Sequence, residues 1–344
     1  MSSAIVKQGG LTGRAPTLRD TAPMSTDAMP RLGMVYDRAF PAGEVVEYAR
    51  RVEAAGLGEL WFIEDCFFTT GISLSAAALA STERVQVGLG VMPAVARPAA
   101  FTAMEISTLC NLAPGRFTPG IGHGVQSWMG QMGVRATSPL TALDETITQV
   151  RRLLAGEEVT FAGRTVTLDR VQLDQPPATP PPLLAGVQQE KSLALAGRVA
   201  DGVVLAEGAG PTYIDWAIGH TGRAADDVQV VTFTMLSVER DRRAAYEPLV
   251  DFVAGMVREE RPALRVLPFW SELRRRVTDD GPAALLDMPA DHWLELGAIG
   301  TPDDAVAHLA SLAAAGVDTA AVFPGPALAI AYEQIDALVA LRDA

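Results

Sequence analysis

The sequence is short of the residues that build metal centres and disulfide frameworks. It holds two cysteines and four histidines in 344 residues, and neither Cys66 nor Cys110 belongs to a CxxC pair. The chain therefore has neither the spacing of a zinc site nor the cysteine density of a disulfide-stabilised secreted domain. Walker A, HExxH and GxSxG motifs are also absent, which argues against P-loop nucleotidases, zinc metalloproteases and α/β-hydrolases.

Positive charge is scarce as well. The chain has 28 Lys and Arg against 41 Asp and Glu, which gives a formal net charge of −13. A surface of this sign does not attract nucleic acids or anionic membranes. No apolar run reaches the roughly 20 residues that a membrane helix needs. We therefore expect a cytoplasmic protein that has no nucleic-acid or membrane partner.

The first 30 residues differ in composition from the rest of the chain. Residues 1–30 are rich in Ser, Thr, Gly, Pro and Ala and lack the long apolar core of a secretory signal. We interpret them as a disordered leader, most of which would be missing if translation began at Met24 or Met29. Residues 31–344 are expected to form one catalytic domain.

From Arg31 onward, short apolar strands alternate with helical periodicity. Each of eight predicted strands is followed by a predicted helix, which is the pattern of an α/β protein built as a parallel (β/α)8 TIM barrel. An open doubly wound sheet is the alternative, but no GxGxxG opens a helix after the first strand. The predicted strands cover residues 31–37, 59–65, 84–94, 116–124, 182–187, 202–208, 227–238 and 319–325.

Two segments interrupt the alternation. Residues 158–173 alternate apolar and polar side chains on both sides of Ala162-Gly163, which predicts an inserted β-hairpin. Residues 240–295 show mostly helical periodicity divided by five prolines. We expect this second insertion to form the roof of the pocket, since barrel enzymes carry their sites at the carboxyl ends of the strands.

Three of the predicted strand ends are rich in glycine, namely those at Gly90, Gly122 and Gly186. Such glycines either make tight turns or let a flat ligand approach the backbone. Because three such ends converge at the mouth of a barrel, we favour a planar cofactor.

Two polar side chains stand out at the same ends. Asp65 follows the second strand several residues before the next helix, so it is placed better for hydrogen bonding to a ligand than for capping that helix. His123 lies between two glycines, and an imidazole with a pKa near neutrality suits proton transfer. Cys66 has no cationic neighbour in sequence that would activate it, so we interpret it as a thiol that lines the pocket rather than as a nucleophile.

The chain resembles a known family. The segments ELWFIED (59–65), GRFTPGIGHG (115–124) and KSLALAGRVADGVVL (191–205), with the hairpin after the fourth helix, resemble the bacterial-luciferase-like flavin superfamily. Within it they are most similar to the branch that uses the deazaflavin coenzyme F420. The resemblance covers about residues 31–340 and implies a TIM barrel, a redox cofactor and a homodimer.

The resemblance also implies roles for particular residues. Asp65 matches an acid near the cofactor or the substrate. Gly90 and Val91 match a cis peptide bond in a bulge that backs the cofactor ring, while Gly122 and His123 match the backbone beside that ring. The loop that meets the cofactor's side chain and phosphate corresponds to Ala185, Gly186, Val187, Gln188 and Lys191.

Three positions depart from the pattern of the branch's sugar-phosphate dehydrogenases. Cys66 replaces a histidine, Val125 replaces a catalytic glutamate, and Gln188-Gln189-Glu190 replaces a glycine-rich turn. We therefore do not expect that particular activity.

The resulting hypothesis is an F420-dependent oxidoreductase that moves a hydride between the cofactor and a small organic substrate. His123 would carry the proton, Asp65 would orient the ligand, and no metal would take part. The alternatives are an FMN-dependent monooxygenase of the same superfamily and a flavin-binding barrel without catalysis.

Overall fold

The computed structural model describes residues 29–343. Apart from Met29 and Pro30, the predicted leader lies outside the described residues. Eleven strands are present in this part of the chain: β1 Arg31–Tyr36, β2 Glu59–Phe62, β3 Gln86–Pro93, β4 Phe117–Gly122, β5 Val159–Ala162, β6 Thr167–Val171, β7 Leu184–Gly186, β8 Gly202–Leu205, β9 Gln229–Val238, β10 Gly297–Gly300 and β11 Thr319–Phe323.

Eight of these strands close into a parallel barrel. Their order around the ring is β1-β2-β3-β4-β7-β8-β9-β11, and β11 returns to β1. The predicted (β/α)8 barrel is therefore confirmed. β5 and β6 pair with each other as an antiparallel hairpin, as the alternation on both sides of Ala162-Gly163 predicted.

Strand β10, which adds to the outside of the ring, was not predicted. It pairs in parallel with the second half of β9, from Gly297 opposite Met235 to Gly300 opposite Val238. The first half of β9 pairs with β11 instead. A strand of four residues with a glycine at each end has too little pattern to be recognised.

Helices surround the barrel and connect its strands. Within residues 29–343 they are α1 Val45–Ala54, α2 Gly71–Ser81, α3 Ala99–Leu112, α4 Gln126–Gln131, α5 Pro139–Leu154, α6 Glu190–Val199, α7 Pro211–Thr221, α8 Arg242–Tyr246, α9 Val250–Arg258, α10 Pro262–Arg265, α11 Trp270–Arg275, α12 Ala290–Leu294, α13 Pro302–Ala314 and α14 Leu328–Arg342. Helix α4 was not predicted. None of the helices in this range is long and apolar enough to cross a membrane.

Helix α5 shows how the sequence specifies these elements. It begins with proline at the first helical position, after Ser138, whose hydroxyl accepts a hydrogen bond from the Thr141 amide. Leu143, Ile147 and Val150 recur at helical spacing and are fully buried. This apolar face packs the helix against the barrel.

The barrel interior is filled by side chains from alternating strands. Trp61 of β2 meets Phe233 of β9 edge to face, with ring centroids 5.9 Å apart. Gly88 makes room for the indole, because a Cβ at that position would lie 2.3 Å from it. Below Trp61, the buried Glu59 carboxylate accepts hydrogen bonds from the Trp61 indole at 2.6 Å and from the Thr319 hydroxyl at 2.8 Å.

The segment between β9 and β10 forms a second, smaller core. Helices α8 to α12 alternate there with short 3₁₀ and π turns. Tyr246 stacks on Trp293 with ring centroids 4.4 Å apart and ring planes 10° apart. This core packs over the end of the barrel, and part of it contributes to the cavity described below.

His308 joins this segment to the barrel. Its Nδ1 lies 2.7 Å from the Leu294 carbonyl oxygen, and its Nε2 lies 3.0 Å from the Thr234 hydroxyl. Since a carbonyl only accepts, Nδ1 carries the proton and Nε2 accepts. Burial lowers the pKa of His308 from 6.5 to about 4.

We expect this histidine to make the fold sensitive to acid. Between pH 6.5 and 4 the unfolded chain binds a proton that the folded chain does not, so stability falls as the pH falls. The full effect is about 3 kcal/mol, at 1.36 kcal/mol per pKa unit. Urea unfolding from pH 7 to 4.5 measures it, with His308→Gln as the matched variant that does not titrate. Equal pH slopes in the two proteins would contradict this assignment.

Candidate active site

A cavity of about 1160 Å³ opens at the carboxyl ends of the barrel strands. Residues of β3 and residues at or just past the ends of β2, β4, β7 and β8 line it, together with residues from the segment after β9. Its position is where (β/α)8 barrels carry their sites. Among residues 29–343, no group of His, Cys, Asp or Glu side chains is arranged to hold a metal ion.

A bulge in β3 forms the floor of the cavity. The Gly90–Val91 peptide bond is cis, as predicted, and the pairing with β4 shifts register between Leu89 and Met92. Val91 lines the cavity. A Cβ at either Gly122 or Gly186 would lie 2.5 Å from its methyl carbons. These two glycines therefore make room for the Val91 side chain.

This packing predicts a rescue experiment. Gly186→Ala should destabilise the protein by about 1–3 kcal/mol, because the added methyl group overpacks against Val91. Val91→Ala in the same chain should recover most of that loss. Urea unfolding of the two single variants and the double variant gives the coupling between the positions. Gly219→Ala is the control, since its new methyl group would meet nothing within 4 Å. Additive single effects would show that the two positions are independent.

Asp65 lies past the end of β2 and forms an ion pair with Arg38, which follows β1. The Arg38 guanidinium also lies 4.6 Å above the centre of the Phe68 ring. Burial raises the pKa of Asp65, while Arg38 acts in the opposite direction. Asp65 does not cap helix α2, because it is Glu64 that accepts a hydrogen bond from the Gly71 amide, at 3.1 Å.

Glu64 lines the cavity and takes part in an ion-pair network. Two nitrogens of Arg97 donate to it at 2.5 and 2.8 Å, and Arg97 also pairs with Glu105 of α3 at 2.9 Å. This network fixes the loop after β2 to helix α3. It holds the neighbouring Asp65 at the mouth of the barrel.

His123 lines the cavity just past the end of β4. Its Nδ1 lies 3.2 Å from the carbonyl oxygen of Pro139, the first residue of α5. Because a carbonyl can only accept, Nδ1 carries the proton and Nε2 keeps its lone pair. Nε2 has no hydrogen-bond partner among residues 29–343, and burial lowers the pKa of the ring. His123 is therefore a neutral base at pH 7.

The loop after β7 leads into the first turn of α6, which also borders the cavity. At its start, the Ser192 hydroxyl accepts a hydrogen bond from the Gln189 amide at 3.3 Å and donates one to the Gln189 carbonyl at 2.8 Å. The Gln188 carbonyl accepts a hydrogen bond from the Tyr213 hydroxyl at 2.7 Å. Gln188 and the exposed Lys191 both line the cavity. Side-chain capping thus replaces the glycine-rich turn of the resembling family.

The ion pair between Glu207 and Arg261 in the cavity was not predicted from the sequence. Glu207, just past β8, accepts a hydrogen bond from Arg261 at 2.9 Å, and Arg261 also pairs with Glu259 at 3.0 Å. Burial raises the pKa of Glu207, and Arg261 lowers it. Glu207 lies near the end of the predicted strand 202–208. Its partner Arg261 is 54 positions away in the helical segment, where no local sequence pattern marks it.

Eight of the ten predicted site residues line the cavity. They are Asp65, Gly90, Val91, His123, Gly186, Val187, Gln188 and Lys191. The other two do not, because Gly122 lies beneath the Val91 side chain and Ala185 is fully buried in the barrel wall. The prediction that Cys66 lines the pocket is also wrong. Burial and the adjacent Glu64 and Asp65 raise the pKa of its thiol.

The fold and the cavity together define a (β/α)8-barrel enzyme. Residues 21–319 match the sequence profile of the family described as luciferase-like monooxygenase, and the chain belongs to this family.

Curated relatives align over most of the chain. The chain is 29% identical over 305 residues to 5,10-methylenetetrahydromethanopterin reductase from Methanolobus tindarius, covering 83% of this chain and 91% of the relative. It is 30% identical over 232 residues to F420-dependent glucose-6-phosphate dehydrogenase from Intrasporangium calvum, covering 60% and 69%.

Solved structures share the fold at lower identity. The F420-dependent tetrahydromethanopterin reductase from Methanopyrus kandleri superimposes with a TM-score of 0.72 at 19% identity, covering 91% of this chain and 98% of that one. The oxygenating constituent of 3,6-diketocamphane monooxygenase from Pseudomonas putida, solved with FMN, gives 0.64 at 15% identity, covering 91% and 97%. At these identities the similarity is one of fold.

Proposed function

We propose that the protein is an F420-dependent oxidoreductase that transfers a hydride between the deazaflavin and a small organic substrate. The observation that carries this is the cavity, in which the Val91 bulge, the free Nε2 of His123 and the first turn of α6 meet. The alignment with F420-dependent relatives supports the choice of cofactor.

The residues present fit such a cofactor. A volume of about 1160 Å³ is large enough for a tricyclic ring and a small substrate. Val91 would support the ring, and the amides of the first turn of α6, with Lys191 and Gln188, would hold its phosphate side chain. When bound, the deazaflavin supplies the carbon that accepts or returns the hydride.

The protein itself would handle the proton. During oxidation of an alcohol, Nε2 of His123 accepts the hydroxyl proton, and during reduction of a carbonyl it returns that proton to oxygen. The lowered pKa keeps His123 unprotonated at pH 7, so the base is ready for oxidation. The charged pair of Asp65 and Arg38 would orient the polar end of the ligand at the mouth.

The experiment is a pair of titrations of the purified protein, with F420 and with FMN, followed by absorbance and fluorescence. We expect F420 to bind and FMN not to bind. FMN binding would instead support an FMN-dependent monooxygenase, whose fold this chain shares. If the cofactor binds but no substrate in a redox screen oxidises or reduces it, the result would support a flavin-binding barrel without catalysis.

We expect Asp65→Ala to weaken the binding of cofactor or substrate by about tenfold. The reason is that the ligand would lose a charge-assisted hydrogen bond to the part-buried Asp65 carboxylate. The fold should survive, because the Asp65 side chain remains 28% exposed. Titration calorimetry and thermal unfolding measure the two effects, with Asp65→Asn as the variant that keeps the shape. Normal binding together with a large loss of thermal stability would show a structural role.

We also propose that two chains form a homodimer through the exposed face of α3. Phe101, Met104 and Leu112 are 57%, 49% and 51% exposed on this helix, which is an unusual concentration of apolar surface. Sedimentation should find a dimer for the native chain and a monomer for Phe101→Glu. A monomeric native chain would overturn the proposal.

We further propose a cytoplasmic enzyme that works without a nucleic-acid or membrane partner. The formal net charge of −13 supports this, because it opposes binding to polyanionic surfaces. Retention on heparin or on anionic vesicles at 0.15 M salt would contradict it.

A further inference from the structure

The arginines that line the cavity already have carboxylate partners. Arg38 is paired with Asp65, and Arg261 is paired with both Glu207 and Glu259. An anionic ligand at either guanidinium would have to compete with a carboxylate that the protein itself provides. This arrangement differs from a phosphate or carboxylate site, in which the guanidinium is left free for the ligand.

Acidic side chains outnumber basic ones around the cavity. Five acidic residues and three basic residues line it, and one of the acids, Glu64, is also paired with Arg97 outside the lining. The acids are Glu64, Asp65, Glu190, Glu207 and Glu259, and the bases are Arg38, Lys191 and Arg261. The basic residue without an ion pair in the described part of the chain is Lys191, at the start of α6.

The carboxylates of Asp65 and Glu207 both lie at the mouth of the barrel. They follow β2 and β8, which are opposite each other in the eight-stranded ring, and both side chains line the same cavity. Each is largely buried, with 28% and 12% of its side chain exposed. Each carboxylate belongs to an ion pair, so the positive charges of Arg38 and Arg261 are already balanced at the mouth of the barrel.

One part of the cavity wall is aromatic. Phe252 and Phe323 stack there with ring centroids 6.1 Å apart and planes 20° apart, and Phe233 and Trp128 also line the space. A substrate that fits this wall presents a ring or another apolar body of similar size.

We propose that the substrate is an uncharged, largely apolar carbonyl or alcohol compound, and that Glu207 contributes to this selectivity by neutralising Arg261. This inference rests on the proposed function for the reaction, but the selectivity itself is a property of binding. It predicts that phosphorylated and carboxylated compounds are excluded from the substrate part of the cavity. One unfavourable charge within a few ångströms of a bound anion lowers the affinity for that anion by roughly tenfold or more.

The test uses two probes of matched shape, 2-acetylnaphthalene and 2-naphthoate, which differ in charge. Titration calorimetry measures their binding to the purified full chain, first without cofactor and then with F420. We expect 2-acetylnaphthalene to bind at least about tenfold more tightly than 2-naphthoate. Equal binding, or tighter binding of the naphthoate, would overturn the proposal.

Glu207→Gln then tests the residue. It leaves Arg261 with Glu259 as its remaining carboxylate partner, so the preference for the neutral probe should narrow by about tenfold. Glu158→Gln, which removes one exposed acid of the hairpin segment, is the control and should keep the native preference. An unchanged preference in Glu207→Gln would overturn the role of this residue. If that variant does not fold, Glu259→Gln removes the exposed second partner of Arg261 and should shift the preference in the same direction.

The two proposals fail in different ways. A chain that binds no F420 but still prefers the neutral probe contradicts the proposed function alone. A chain that binds F420 but prefers the naphthoate contradicts the substrate class alone.

Discussion

Replacing His123 by alanine is expected to lower kcat by roughly 10²–10⁴-fold, the usual contribution of a general acid–base group. Cofactor affinity should change much less, because the Val91 bulge and the first turn of α6 do not depend on the imidazole. In the native enzyme, kcat/KM for alcohol oxidation should fall as the pH falls through the pKa of His123. That pKa lies below 6.5 because the ring is buried. His123→Ala should lose this limb of the pH profile.

His220 provides a matched control for this experiment. Its Nδ1 also lies beside a backbone carbonyl, that of Trp216 at 2.7 Å, but it is on α7 and does not line the cavity. His220→Ala should keep native turnover. Loss of cofactor from His123→Ala with unchanged turnover of the loaded fraction would make His123 a binding residue. If binding and turnover both survive, the proton must come from another group or from water.

Replacing Glu59 by alanine is expected to destabilise the fold by about 3–5 kcal/mol. The substitution leaves the Trp61 indole and the Thr319 hydroxyl without their acceptor inside the barrel. It also removes the charge that lies 3.3 Å from Arg31. Urea unfolding at pH 7 measures the loss. Glu59→Gln should cost less, since its amide oxygen can still accept a hydrogen bond.

Asp336→Ala provides the comparison for that experiment. Asp336 pairs with Arg51 at 2.5 Å on the surface, with 63% of its side chain exposed, so its removal should cost at most about 1 kcal/mol. A similar cost for Glu59→Ala and Asp336→Ala would show that the buried network is not what stabilises the base of the barrel.

Local patterns in the sequence were sufficient to predict the barrel. Period-two and helical periodicities are properties of neighbouring residues, and the eight strands of the ring and the hairpin were recognised from them. The carboxyl-end rule then placed Asp65 and His123 at one mouth, where both line the cavity. The cis bond at Gly90–Val91 was predicted from the family resemblance and not from periodicity.

What could not be predicted depends on contacts between distant parts of the chain. The tautomer of His123 is set by a carbonyl 16 positions away, and Arg261 meets Glu207 across 54 positions. The glycines were recognised as unusual, but their reason is the Val91 side chain packed beside Gly122 and Gly186. Such packing appears only when three strands are brought together in space.

The placement of β10 has a mechanical consequence for substrate entry. The helical segment leaves the barrel at the end of β9 and returns through β10, which is hydrogen-bonded to that same end of β9. The two ends of the segment therefore lie next to each other at the end of β9, and separating them would break the β9–β10 hydrogen bonds. The part of the cavity wall that this segment provides is therefore anchored to the barrel at both of its ends.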